Sequence, residues 1–215
     1  MHLEGPQLSA VWQTIDRERS AVADLIDDFS SDELAMASLC AGWTVRDVAA
    51  HLTLAHTPPM TAVRDLVRAR GSFDRMVHDT AVRHRAPAPD LAASLRRMVG
   101  SRRTAPMVTP VEPLLDILVH AQDMVVPLGR EHPMPTRAAE IALRRVWSMG
   151  WPFHARRRLG AVTLRSTDAP WTRGSGPVVS RSTAALLLLA TGRCSAALPR
   201  LDGPGVPVLA ERLSA

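Results

Sequence analysis

Leu114-Leu115-Asp116-Ile117-Leu118-Val119-His120-Ala121-Gln122-Asp123-Met124 is apolar nearly all round, yet it holds a carboxylate and an imidazole four residues apart. At helical spacing, Asp116 and His120 share one face about one turn apart. A helix apolar on every side is buried. A carboxylate or imidazole inside it must pair, bond or bind a metal, because leaving it unpaired costs several kcal/mol. Two readings stay open on these residues alone: Asp116 holds His120 in one tautomer as a structural pair, or both ligate a metal. Pro110 and Pro113 fit the beginning of this helix, and Pro127 with Gly129 stops it.

On either side the chain reads as helix after helix. Val11, Ile15, Val22, Leu25 and Ile26 keep helical spacing between Leu8 and Phe29. A short segment follows a cap at Ser31, with Asp32 and Glu33 in its first turn. Thr44 caps the next helix with Asp47 three residues on, a capping-box variant, and that helix ends near Pro58-Pro59. Further helices are expected over 60–70, 73–84, 89–102 and 136–149. Residues 160–167 alternate as a strand. A Gly- and Pro-rich loop over 168–177 leads to Val178-Val179 and an apolar helix from Thr183 to Thr191, with Gly192 as its C-cap. The last twenty residues read as turns with a final short helix. The fold class is mainly α: an antiparallel helical bundle over 1–150 and a small α+β domain over 151–215.

His51, seven residues after the Thr44 cap, is the candidate third ligand. A lone His on an apolar helix face is more often a satisfied core histidine than a ligand. With Asp116 and His120 it completes a His-carboxylate-His set, an arrangement known for zinc that leaves a fourth position open. His56 points roughly 140° around the same helix. His2, His78, His84, His132 and His154 lie among Arg, Pro or acids and read as surface residues. Glu112 is a rival carboxylate, but an acid is expected in a first turn. Asp123, one turn beyond His120, is placed to orient that imidazole, and Gln122 is a weaker polar candidate. Arg156-Arg157-Arg158 reads as a solvated face.

Composition excludes other classes. The 215 residues are 46% apolar and 22% charged, as in an ordinary globular protein. The net charge is +5 and the pI about 10.9, yet all 26 basic residues are Arg. Arginine keeps its charge at any accessible pH, so the high pI needs no nucleic-acid face. Aromatic residues at 4% offer few stacking platforms for bases, and no nucleic-acid partner is expected. The longest apolar run, Ala184 to Ala190, is too short for a membrane span. MHLEGPQL lacks the pattern of a signal peptide, so a cytoplasmic location is expected. Cys40 and Cys194 match no metal or redox spacing.

Gly42-Trp43-Thr44-Val45-Arg46-Asp47-Val48-Ala49-Ala50-His51-Leu52 resembles the opening motif of the mycothiol-dependent maleylpyruvate isomerase family. Asp116 to Met124, followed by Pro127-Leu128-Gly129-Arg130, resembles its second motif. Ala184 to Arg193, with Leu201-Asp202-Gly203 beyond, is similar to its smaller second domain. The resemblance implies a DinB-like, metal-binding four-helix bundle from a GC-rich actinobacterial host. His51, Asp116 and His120 would ligate zinc or another divalent metal, with water or the thiol of mycothiol in the fourth place. Arg193 would be the catalytic arginine, near the metal across the domain interface, where a guanidinium can grip a substrate carboxylate. Asp116 stands where the characterised isomerase has Glu.

The implied activity is mycothiol-dependent isomerisation of, or thiol transfer to, a small electrophile, by a monomer or homodimer. The alternatives are a stress-linked, DinB-like metal-binding module without mycothiol chemistry, and a helical DNA-binding regulator. The last would leave the buried Asp116/His120 helix unexplained.

Overall fold

The computed structural model describes residues 4–54, 73–84, 86–104 and 108–214. It divides into two compact units, one from Leu3 to His132 and one from Pro133 to Ala215. The expected helix over 60–70, the stop at Pro58-Pro59, His2 and His56 lie outside the described residues.

The first unit is helical. Helix α1 (Gly5–Asp28) buries Val11, Trp12, Ile15, Val22, Ala23 and Ile26 along one stripe. Then come α2 (Ser31–Ala35), α3 (Val45–Thr53), α4 (Phe73–Arg83), α5 (Ala88–Arg97) and α6 (Val111–Val125). Helix α1 packs on α5 and α6, and α3 packs on the same two, so these four form a closed ring around one core. The cap of α2 is Ser30, one residue before the expected Ser31: its hydroxyl accepts from Glu33 N–H at 3.2 Å, and Glu33 accepts from Ser30 N–H at 2.8 Å.

Helix α5 ends at Arg97, five residues short of the expected Arg102. The reason is a contact distant in sequence. Arg19 of α1, 4% exposed, donates to the carbonyls of Met98 at 2.6 Å and Ser101 at 3.1 Å. Those carbonyls are then held outside a helical ladder, and Gly100, at φ +81°, turns the chain. Glu18, also buried, receives His132 Nε2 at 2.8 Å. His132 is therefore a half-buried partner and not the surface residue expected.

The second unit opens with α7 (Thr136–Ser148), which packs on α9 (Thr183–Ala190). Between them lie α8 (Ala155–Leu159) and strands β1 (Thr163–Ser166), β2 (Thr172–Gly174) and β3 (Val178–Arg181). The sheet order is β2-β1-β3, antiparallel on one side and parallel on the other. Strand β2 falls inside the expected loop; all three of its residues are exposed, so it has no alternating pattern to read. Asp168 caps α9, accepting from Thr183 N–H at 2.8 Å and from its hydroxyl at 2.6 Å. Gly192, at φ +93°, ends α9 as expected, with Arg193 N–H reaching back to Leu188 at 2.8 Å. Arg158 also serves that end, donating to Leu189 and Ala190 carbonyls at 3.4 Å, so it is not part of a solvated face. Helices α10 (Cys194–Ala197) and α11 (Val206–Ser214) complete the unit.

Arg19→Met keeps an apolar stem and removes the donors to both carbonyls, leaving Met98 O with the Ser101 N–H at 3.1 Å and without the charged partner. The expected loss is about 1–3 kcal/mol of stability, measured by chemical denaturation. An unchanged midpoint would show that the contact does not hold α5 in place.

Candidate metal centre

The rotation of α3 is set at its first residue. Thr44 Oγ accepts from Asp47 N–H at 3.2 Å, and the Asp47 carboxylate accepts from Thr44 N–H at 2.9 Å and its hydroxyl at 2.7 Å. With that start fixed, Val45, Val48, Ala49 and Leu52 point to the core. His51 lies at the edge of that face, 20% exposed. On α6, Ile117, Leu118, Val119 and Met124 are buried, and Asp116 and His120 face α3.

The three side chains meet. His51 Nε2 and His120 Nε2 each lie 3.4 Å from Asp116 Oδ1, and the two imidazoles stand edge to face with centroids 4.8 Å apart. Two donors held tetrahedrally on one zinc ion, each at about 2.0–2.1 Å, lie about 3.4 Å from one another. That is the spacing on both sides of Asp116, and it is long for a direct hydrogen bond. The residue types and their separation therefore fit a divalent metal. The aspartate reaches both imidazoles although it is one methylene shorter than glutamate.

The charges are coupled. Burial alone would raise the Asp116 carboxyl, but the two imidazoles outweigh it and hold it below the usual carboxylate range. Burial would lower His120, yet hydrogen bonds and charge from Asp116, with Asp123 and Cys40 behind, hold it well above the ordinary imidazole value.

Asp123 is where the sequence placed it. Fully buried, it lies 2.7 Å from His120 Nδ1, which turns Nε2 toward the shared point. Cys40, passed over in the sequence, joins it: its thiol donates to Asp123 Oδ2 at 3.0 Å and lies 3.8 Å from His120 Nδ1. Cys40, His120 and Asp123 thus form a second group of potential ligands sharing one imidazole. The connection carrying Cys40 is pinned by Leu39 N–H to Asp123 O at 3.1 Å and turns at Gly42, φ +79°. Trp43 follows, its ring 5.3 Å from His51 and nearly parallel to His120 at 6.4 Å. No spacing motif marks Cys40; only the neighbouring Gly42-Trp43 turn could have drawn attention to it.

A cavity of about 270 Å³ adjoins the site, with Asp116 in its lining. Leu52, Leu95, Met98 and Ile117 supply apolar wall, and Arg19 and Arg103 supply cations. Glu112 also lines it but serves as a local acceptor, 2.7 Å from Thr109 N–H. Gln122 is turned away, donating to the His132 carbonyl at 2.8 Å. His78 is exposed, with Trp43 6.1 Å from its ring. Arg193 belongs to the second unit, where its guanidinium donates to Thr191 O at 2.8 Å.

A four-helix ring with two imidazoles and a carboxylate converging from two of its helices defines a bundle able to hold a divalent metal. The family described as mycothiol maleylpyruvate isomerase N-terminal domain matches residues 15–146, well over half of the chain, and the chain belongs to that family. The crystal structure of the mycothiol-dependent maleylpyruvate isomerase and that of a histidine-to-alanine mutant are similar in fold. Each has a TM-score of 0.58 and 17% identity, covering 92% of both chains. No curated protein sequence is a significant match.

Asp123→Asn keeps the size and loses the charge behind His120. It is expected to weaken metal affinity about 10–100-fold, measured by competition with a chromogenic chelator. Unchanged affinity would separate Asp123 from the site.

Proposed function

We propose that the protein is a zinc-dependent enzyme that uses mycothiol to isomerise a small electrophile or to transfer the thiol to it. The observation that carries this reading is the donor spacing: two imidazole nitrogens 3.4 Å from one carboxylate oxygen, beside a cavity that the same aspartate lines. Family membership supports the choice of thiol.

His51, Asp116 and His120 would hold the zinc, which when bound would favour thiolate over thiol and so supply a nucleophile at neutral pH. Asp123 holds His120 in the tautomer that leaves Nε2 available. Leu52, Leu95, Met98 and Ile117 give the cavity an apolar wall for the carbon skeleton of the electrophile. Arg103, in the same lining, offers a planar guanidinium to a carboxylate on the electrophile. Arg193 is proposed for the same task on the family likeness. Thiolate addition turns an activated double bond into a single one; rotation and elimination then release the other isomer. An electrophile that does not eliminate the thiol takes up at carbon a proton equivalent to the one the thiol lost, and leaves as the adduct. The proposed location is a reducing cytoplasm, where Cys40 and Cys194 stay thiols.

Purified protein is expected to carry about one divalent metal per chain, and His51→Ala and His120→Ala are expected to lose it by elemental analysis. With metal at about 100 times its dissociation constant, the stabilisation is about 2.7 kcal/mol, a rise in Tm on the order of 5–10 °C. Mycothiol should raise the Tm of the metal-loaded protein further, and glutathione should not. A response to neither thiol would overturn the enzyme reading in favour of a metal-binding module.

Arg103→Ala and Arg193→Ala are each expected to slow turnover of a carboxylated electrophile about 10–100-fold, with metal content unchanged and an uncharged electrophile spared. Equal losses on both electrophiles would assign these arginines a structural role.

A further inference from the structure

Residues 133–215 hold 12 arginines against four acidic residues, a net charge of +8, while residues 1–132 hold 14 against 17, a net −3. Three of the four acids are engaged elsewhere. Glu140 pairs with Arg144 at 2.6 Å, Asp202 with Arg181 at 2.9 Å, and Asp168 caps α9. The excess charge has a focus. A groove of about 800 Å³ in this unit is lined by Arg156, Arg157, Arg173 and Arg212, with Trp147 and Ser175 beside them, and no acidic residue lines it.

Among the described residues, none of the four cations is held there by an ion pair, and no carboxylate pairs with Arg156 or Arg157. Arg212 is oriented by backbone alone, donating to the carbonyls of Arg158 at 2.9 Å and Arg157 at 3.1 Å. A second hollow, of about 620 Å³, shares Arg157 and Arg212 and adds His154. Gathering guanidinium groups without counter-charge is unfavourable unless an anion joins them, and each planar fork matches the oxygens of a phosphoryl group. Trp147, packed edge to face on Trp171 at 5.8 Å, gives the groove one apolar wall. Two adjoining concave hollows sharing two cations suit a compact ligand with more than one anionic centre, and differ from the extended stripe that a nucleic-acid backbone follows.

We propose that this groove binds a phosphorylated small molecule carrying at least two phosphoryl groups. No residue of it belongs to the candidate metal centre, so the site stands whether or not the thiol chemistry does.

The test is calorimetric titration of the metal-loaded full chain with fructose bisphosphate and, separately, with inorganic phosphate. The bisphosphate is expected to bind saturably at one site per chain and more tightly than phosphate. Arg156→Ser with Arg157→Ser should weaken it about tenfold or more. Arg137→Ser with Arg200→Ser removes the same charge from exposed positions outside the groove and should change affinity less than about twofold. All four positions are exposed, and retention of the parent Tm checks that both variants fold. Absence of saturable binding, equal weakening in both double variants, phosphate binding as tightly as the bisphosphate, or displacement of the bisphosphate by a lower concentration of a short oligonucleotide would overturn the proposal.

Discussion

Two imidazoles and one carboxylate share a point at the edge of an apolar core, and each would be far costlier there alone. His51 and His120 stabilise Asp116 as an anion, and Asp116, with Asp123 and Cys40 behind, raises the proton affinity of His120 against the effect of burial. His51 comes from α3 and its partners from α6, so the site forms only when those helices pack in one register. Ala49, Ala50 and Ala121 are fully buried. Small residues on packed helices permit a short separation, within the reach of an aspartate side chain.

Around that point lies a layer that fixes orientation. Asp123 accepts from the imidazole on one side and from the Cys40 thiol on the other. Its backbone carbonyl also holds Leu39. The connection before α3 is thus tied to α6 by side chain and backbone together. Ser38 closes the same connection on itself, its hydroxyl 2.9 Å from the Trp43 carbonyl. Trp43 is thereby set against both imidazoles. Rigidity in this connection keeps His51 and His120 aligned before any ligand arrives, which reduces the ordering cost of binding.

What was legible in the sequence had a period or a local partner. Asp116, His120 and Asp123 stand at helical spacing in an apolar helix, and Thr44 with Asp47 is a cap readable within four residues. What was not legible depends on groups far apart along the chain. Cys40 meets Asp123 across 83 residues and Arg19 meets Met98 across 79, while His132 meets Glu18 across 114. No pattern within a window contains such pairs. Exposed β2 lacks the alternation that reveals a half-buried strand. Helix α7 reads locally like any bundle helix, and only its packing on α9 assigns it to the second unit.

The high pI, which argues for no function when taken over the whole chain, has a different meaning once the fold divides it. A net of +5 is the remainder of an acidic unit and a strongly basic one. Among the described arginines of the acidic unit, several are engaged: Arg96 with Asp24 and Asp27, Arg130 with Glu33, Arg19 with backbone carbonyls. In the basic unit too few carboxylates exist for that, and the use of arginine throughout the chain does not by itself account for where these arginines lie. Random placement would scatter the surplus over the surface, where water screens it within about 8 Å. Convergence of four guanidinium groups on one hollow concentrates the field instead, and a concave, low-dielectric wall strengthens it.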